Sequence, residues 1–236
     1  WFGDCLTLMS NIKDNSVDMI LCDLPYGVTG ISWDCQLSLP ALWQQYERVC
    51  KPNAVILLFS IQPFTTDLIC SNRNLFKYSL VWNKNVPTGM NFAKHRPMRY
   101  HEEILCFYKG KPTYNPVMQP RKGAGKGCYK YQHYCGKSNH TEVSKVKKYY
   151  DPDFVQPGTV LNFNVVPNRR GKLHPTQKPV ELCEYLIKTY SNEKDLILDN
   201  CAGSGSTLLA AKNLNRQFIG IEKEEKFWRI CLERLN

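Results

Sequence analysis

Apolar and polar positions along this chain follow two periods that alternate with one another. Apolar runs of strand length occur at Val17 to Cys22, Ala54 to Phe59, Tyr78 to Trp82, Glu103 to Tyr108, Leu196 to Leu198 and Phe218 to Ile221. Between them lie segments with apolar residues at helical spacing. Leu39 to Val49 carries Leu42, Tyr46 and Val49 on one side and is stopped by Lys51-Pro52-Asn53. Pro63 opens a second helix, running to about Asn72, with proline in the first turn where its missing N–H is harmless. Val180 to Tyr190, Ser206 to Leu214 and Glu224 to Leu235 are three more, and Gly3-Asp4-Cys5 reads as a strand end turning into a short helix. Alternation of this kind predicts an α/β fold with a mostly parallel sheet and helices on both faces.

The pattern breaks between Lys84 and about Lys172, a stretch rich in Lys, Arg, Tyr, Gly and Pro and interrupted mainly by Glu103 to Tyr108. Arg121 to Tyr150 holds eight Lys/Arg against one acid, Glu142, with tyrosines interleaved. A long loop-rich insertion in a compact fold is usually functional, and positive charge among planar side chains suits phosphates and bases. Lys94, Arg96, Arg99, Arg121, Lys122, Lys126 and Lys130 are the candidate DNA contacts, and the net charge of +10 agrees with a polyanionic partner. Length favours one domain with an insertion: residues 1–83, an insertion over 84–172, and 173–236. No apolar run approaches the roughly 18–20 residues of a membrane span, and no signal peptide is visible. The eleven cysteines are an odd number and stand mostly in apolar contexts, which predicts reduced thiols in a cytosol. Cys128, His133, Cys135 and His140 match no common zinc spacing, so no metal is expected.

Two short stretches, each at a strand end, carry the candidate chemistry. In Asp199-Asn200-Cys201-Ala202-Gly203-Ser204-Gly205-Ser206-Thr207, the glycines supply positions of positive φ and close approach, and Ser206-Thr207 begin a helix with free N–H groups. Glu222 closes the next strand 23 residues after Asp199, the usual separation for an acid that takes a ribose diol. No lysine follows Gly205, which excludes a Walker loop. The pattern points to an adenosine-type cofactor at the strand ends.

The second stretch is Asp23-Leu24-Pro25-Tyr26-Gly27. Its chemistry becomes pointed for an exocyclic amine, whose conjugated nitrogen is a poor nucleophile. The Asp23 side chain and the Leu24 carbonyl are placed to accept its two hydrogens, and Tyr26 to stack on a base flipped from the duplex. Rate enhancement would come chiefly from proximity and electrostatic stabilisation.

These residues give the chain a resemblance to S-adenosylmethionine-dependent DNA amino-methyltransferases of the β-type circular order, including phage and prophage methylases. Besides the two turns it rests on Gly3-Asp4-Cys5, Arg99-Tyr100-His101-Glu102-Glu103-Ile104-Leu105, His174-Pro175-Thr176-Gln177-Lys178-Pro179 and Ile219-Gly220-Ile221-Glu222. The resemblance implies a Rossmann-like class I methyltransferase sheet, circularly permuted, with the catalytic half first and the cofactor half last. It implies S-adenosylmethionine as cofactor and DNA as partner. Asp199, Cys201, Gly203 and Gly205, with Ser206, would line the methionine part, and Glu222 would bind the ribose. Asp4 and Cys5 would lie near the adenine, Thr176 and Lys178 would hold the methionine carboxylate, and Asp23 would border the cofactor. Asp23, Leu24, Pro25 and Tyr26 would form the base pocket. Leu24 replaces the family's usual first proline, and Asn200-Cys201 replaces its commoner Pro-Phe.

Aspartate at position 23 favours adenine, since relatives acting on the cytosine amine more often carry serine there. Methylation at carbon 5 of cytosine is set aside, because no Pro-Cys dipeptide occurs. An N4-cytosine enzyme, an RNA enzyme and a catalytically silent DNA-binding relative are the alternatives. A dinucleotide-dependent oxidoreductase fits less well, because the Asp-Leu-Pro-Tyr turn has no job there and this glycine pattern lacks the third glycine in register. The recognition sequence, a homodimer and a cognate restriction endonuclease stay open at this level.

Overall fold

A computed structural model describes residues 1–27, 36–90, 93–121, 153–167 and 172–236. By contacts the chain divides into a larger unit, Trp1–Asn115 with Gly158–Asn236, and a smaller one, Pro116–Pro157. The larger unit is built on a seven-stranded sheet ordered β7-β3-β4-β2-β1-β8-β9. Its strands are β1 (Val17–Cys22), β2 (Cys50–Ser60), β3 (Phe76–Thr88), β4 (Arg99–Phe107), β7 (Val160–Asn162), β8 (Leu196–Asp199) and β9 (Gln217–Gly220). The helices are α1 (Cys5–Met9), α2 (Leu39–Val49), α3 (Phe64–Ser71), α4 (Val180–Tyr190), α5 (Ser206–Asn213) and α6 (Glu225–Leu235). In the smaller unit, β5 (Gln119–Pro120) pairs antiparallel with β6 (Phe154–Val155).

Alternation along the central strands sets the layers. Ile20 and Cys22 of β1 and Ile56 and Leu58 of β2 point into one cluster with Met9, Leu42, Tyr46 and Leu68 from α1, α2 and α3. Met19, Leu21, Val55, Leu57 and Phe59 point the other way, onto Leu182, Leu186, Ala210 and Ala211 of α4 and α5. A strand covered on both faces reads as a continuous apolar run, which is why β1 and β2 lack a polar face in sequence. The result is a mixed α/β sheet of Rossmann-like class, parallel through β2-β1-β8-β9 and antiparallel at β2-β4 and β4-β3.

One adjacency positions the site. β8, drawn from the last quarter of the chain, lies beside and parallel to β1, with Met19 opposite Ile197 and Ile20 opposite Leu198. Parallel neighbours end on the same edge of a sheet, so the turns after Cys22 and after Asp199 open side by side. Asp18 ties the pair further: its carboxylate accepts from Leu196 N at 2.9 Å and pairs with Lys51 at 2.7 Å.

The boundary expected at residue 84 falls inside β3, which continues to Thr88 past a register irregularity between Asn83 and Thr88. β4, the core strand expected near 103–108, belongs to the main sheet, and so does β7. The sequence reading missed β7. Its three residues carry almost no periodic signal, and it forms by pairing with the outer edge of β3. Trp82 is buried; Trp33 and the Cys128, His133, Cys135, His140 group lie outside the described residues.

Candidate active site

The two turns border one cleft of about 1080 Å³ in the larger unit. On its first side stand Asp23, Leu24, Pro25 and Tyr26. Leu24 is 3% exposed, its side chain sunk in the core, and this burial fixes the turn where a proline ring would otherwise stiffen it. Tyr26 packs against Phe64 with ring centroids 5.3 Å apart and donates its hydroxyl to Asp23 Oδ1 at 2.7 Å. Burial pushes the Tyr26 phenol well above its ordinary value, with Asp23 adding to the effect, so it stays a donor.

Asp23 Oδ2 accepts from Lys178 Nζ, and Lys178 also lies 3.5 Å from Glu102 Oε2. Glu102 in turn pairs with Lys84 at 2.6 Å. Burial raises the Asp23 carboxyl above the usual carboxylate range, against the pull of the Lys178 ammonium. Burial alone would discharge Lys178, but the Asp23 and Glu102 carboxylates outweigh it and hold the ammonium charged. Lys178, expected to hold the cofactor's carboxylate, borders the cleft with its ammonium paired to two acids, as a lysine this enclosed requires. Glu102, left without a role in sequence, is the second of those acids.

On the other side the glycine turn has the expected geometry. Gly203 and Gly205 sit at φ +51° and +75°. Gly203 borders the cleft and its N–H donates to Glu222 Oε2 at 2.7 Å, while Glu224 N donates to Oε1 at 2.8 Å. Gly205 does not border the cleft. A Cβ there would stand 2.5 Å from Cys231 Sγ, so its role is the close approach of α6. Ser206 borders the cleft, but its hydroxyl accepts from Arg234 at 3.2 Å, which leaves its backbone for a ligand.

Asp199 is the electrostatic centre of this side. It is 4% exposed, and burial pushes its carboxyl up to about 7, opposed by hydrogen bonds from the Cys201 N–H, Thr207 and Cys22. Among the described residues no cation pairs with it. The Asn200-Cys201 pair is built into the core: Asn200 accepts from Tyr46 at 2.6 Å, and the Cys201 thiol bonds with those of Cys22 and Cys5.

Asp4 and Cys5 also border the cleft. Asp4 caps α1 through Thr7 N at 2.9 Å, and Phe2 bridges to Glu222, which brings the chain's first residues to the end of β9. Thr176 borders it with its hydroxyl 3.1 Å from His174 Nδ1. Sequence reasoning gave no role to His174 and Phe227, whose rings meet edge-on with centroids 4.1 Å apart in the cleft wall. Burial pushes His174 down to about 4, helped by Lys178 and Lys172, so the ring is neutral. Of the expected DNA contacts, Arg99 borders the cleft and Lys94 and Arg96 are exposed. Arg121 is half-buried in the smaller unit; Lys122, Lys126 and Lys130 lie outside the described residues.

A family model described as DNA methylase, N6_N4_Mtase, matches residues 17–233. Type II methyltransferase M.BglII of Bacillus subtilis is 30% identical over 259 residues, covering 99% of this chain and 68% of that protein. Type II methyltransferase M.HpaI of Haemophilus parainfluenzae is 28% identical, covering 99% and 73%. Among solved structures, an M1.HpyAVI-SAM complex superimposes with a TM-score of 0.66 at 25% identity, covering 100% of this chain and 98% of that one. PvuII DNA methyltransferase, described as cytosine-N4-specific, gives 0.68 at 14% identity, covering 100% and 85%, a likeness of fold.

Proposed function

This chain belongs to the N6_N4_Mtase family of DNA methylases, and on that premise we propose that it methylates the exocyclic N6 amine of adenine in DNA. The observation that carries the reading is the shared cleft: the Asp23 carboxylate and the Gly203 turn face one space. S-adenosylmethionine is the cofactor, and when bound it supplies an electrophilic sulfonium methyl group.

The residues present fit that cofactor. Asp199 is a buried carboxyl without a cation, in a cleft wall, and suits the methionine ammonium. Glu222 presents two oxygens fixed by backbone N–H groups and suits a ribose diol. Asp4, Cys5, Cys201, Gly203, Ser206 and Thr176 complete the binding surface.

The chain's own part in the reaction is to grip and orient the amine. Asp23 has about four lone-pair sites, of which Tyr26 and Lys178 occupy two. The Asp23 carboxylate accepts one amine hydrogen, the Leu24 carbonyl takes the other, and the nitrogen lone pair is thereby aimed at the methyl group. Tyr26, its hydroxyl tethered, stacks on the flipped base. The ionised Asp23 stabilises positive charge as it grows on nitrogen and can accept the proton that the product sheds. Aspartate at position 23 supports adenine over cytosine. The order of the two turns supports a circularly permuted sheet with residues 1–83 as the catalytic half. Lys94, Arg96, Arg99, Arg121, Lys122, Lys126 and Lys130 supply phosphate contacts, in a cytoplasmic protein.

The test is incubation with methyl-labelled cofactor and duplex DNA, followed by hydrolysis to nucleosides. Label in N6-methyldeoxyadenosine is expected; label in N4-methyldeoxycytidine overturns the base assignment, and none overturns the activity.

A further inference from the structure

Four largely enclosed charges meet in the cleft wall, and they come from four places in the chain. Asp23 follows β1, Lys84 lies on β3, Glu102 on β4 and Lys178 just before α4. The side chains of Lys84, Glu102 and Lys178 are 6, 13 and 9% exposed. Two cations and two anions balance, as a cluster this enclosed requires.

The balance is complete in charge but not in hydrogen bonds. Glu102 Oε1 pairs with Lys84, whereas Oε2 is buried and accepts no hydrogen bond from any described residue. A buried acceptor without a donor is costly. Lys178 lies 3.5 Å from it, with its ammonium on Asp23 Oδ2 and 5.0 Å from the centre of the Phe59 ring. Lys178 thus occupies an oxygen that the amine needs, and the unfilled oxygen beside it is a second seat for the same ammonium. A compact charge on a four-carbon stem can move between them.

We infer that Glu102 is a positioning residue for the methyl transfer: its Oε2 receives Lys178 when the incoming amine takes the place of Lys178 on Asp23. The move passes one ion pair between two carboxylates and changes no net charge, so Asp23 stays ionised while it grips the amine. Without the Glu102 carboxylate, Lys178 has only Asp23 and stays locked to it. Without Lys178, Asp23 faces Glu102 as a bare like charge and holds a proton. Removing both restores an unhindered Asp23. This rests on the reading of Asp23 as the acceptor of the amine.

The experiment is single-turnover methyl transfer at saturating cofactor and DNA for wild type, E102Q, E102D, K178M and E102Q/K178M, with cofactor affinity measured on each to report a folded site. E102Q is expected to slow transfer on the order of 10–100-fold, the scale of one electrostatic contact in an active site. Cofactor affinity should hold within about threefold. E102D, which keeps the charge, should be faster than E102Q, and E102Q/K178M faster than either single variant. E102Q within about threefold of wild type, or a double variant no faster than E102Q, overturns the inference. A wild type that labels cytosine overturns the base assigned above and leaves this comparison intact; one that labels no nucleic acid overturns both.

Discussion

Lys178 donates to the carboxylate of Asp23, a residue 155 positions earlier in the chain, and the pair joins the two halves of the cleft chemically as β1 and β8 join them in the sheet. Burial leaves the Asp23 carboxyl above its ordinary value even with this contact in place. Desolvation favours the acid form, and the ammonium beside it opposes that shift.

The first expectation concerns pH and Asp199. Its carboxyl titrates near 7 in the free protein, because burial outweighs its neutral donors. A raised carboxyl costs stability as pH rises from the unfolded value, near 4, to about 7. The free protein should therefore lose stability across that window, and a bound ammonium should restore it. Cofactor affinity is expected to weaken as pH falls from 8 to 6, with proton release on binding. Calorimetry at pH 6.5 in two buffers of different ionisation enthalpy reads that proton. Proton uptake, or a pH response kept in Asp199→Asn, contradicts the assignment.

A second expectation separates the two glycines. Gly205→Ala places a Cβ 2.5 Å from Cys231 Sγ at φ +75°, and should cost about 1–3 kcal/mol in urea unfolding. Adding Cys231→Ala should recover the steric part and leave the backbone part. Gly203 has room, its nearest neighbour being the His174 ring at 3.7 Å. Gly203→Val should lower cofactor affinity about tenfold or more through the strained turn, a loss that equilibrium binding measures directly.

Salt tests the basic residues. Log affinity for DNA should fall linearly with log salt, and Arg99→Ala should reduce the slope by about one. An affinity indifferent to salt would remove phosphate contacts from the account.

Much of this was written locally in the sequence. β1 and α4 end where their apolar patterns end, and the parallel α/β core follows from alternation alone. The two turns announced themselves because each breaks the chain directly after a strand, and at the glycine turn a helix follows at once. What stayed hidden depends on partners far away in the chain. The partner of Lys178 is set by how the segment before α4 meets the turn after β1, so the motif containing that lysine leaves its partner open. Glu102 reads as one acid in an ordinary strand; its weight comes from Lys84 across the β3–β4 ladder, where Trp82 stands opposite it. Gly205 matched a ligand-binding pattern but serves helix packing, a distinction that only the approach of α6 reveals.

The central claim is that Asp23 works on the amine while the glycine turn holds the cofactor, and one paired measurement on Asp23→Ala tests it. Single-turnover transfer and cofactor affinity are read on the same protein. The account predicts a loss of transfer of at least about 10²–10³-fold with affinity unchanged within about threefold. Retained transfer with lost cofactor affinity would contradict it.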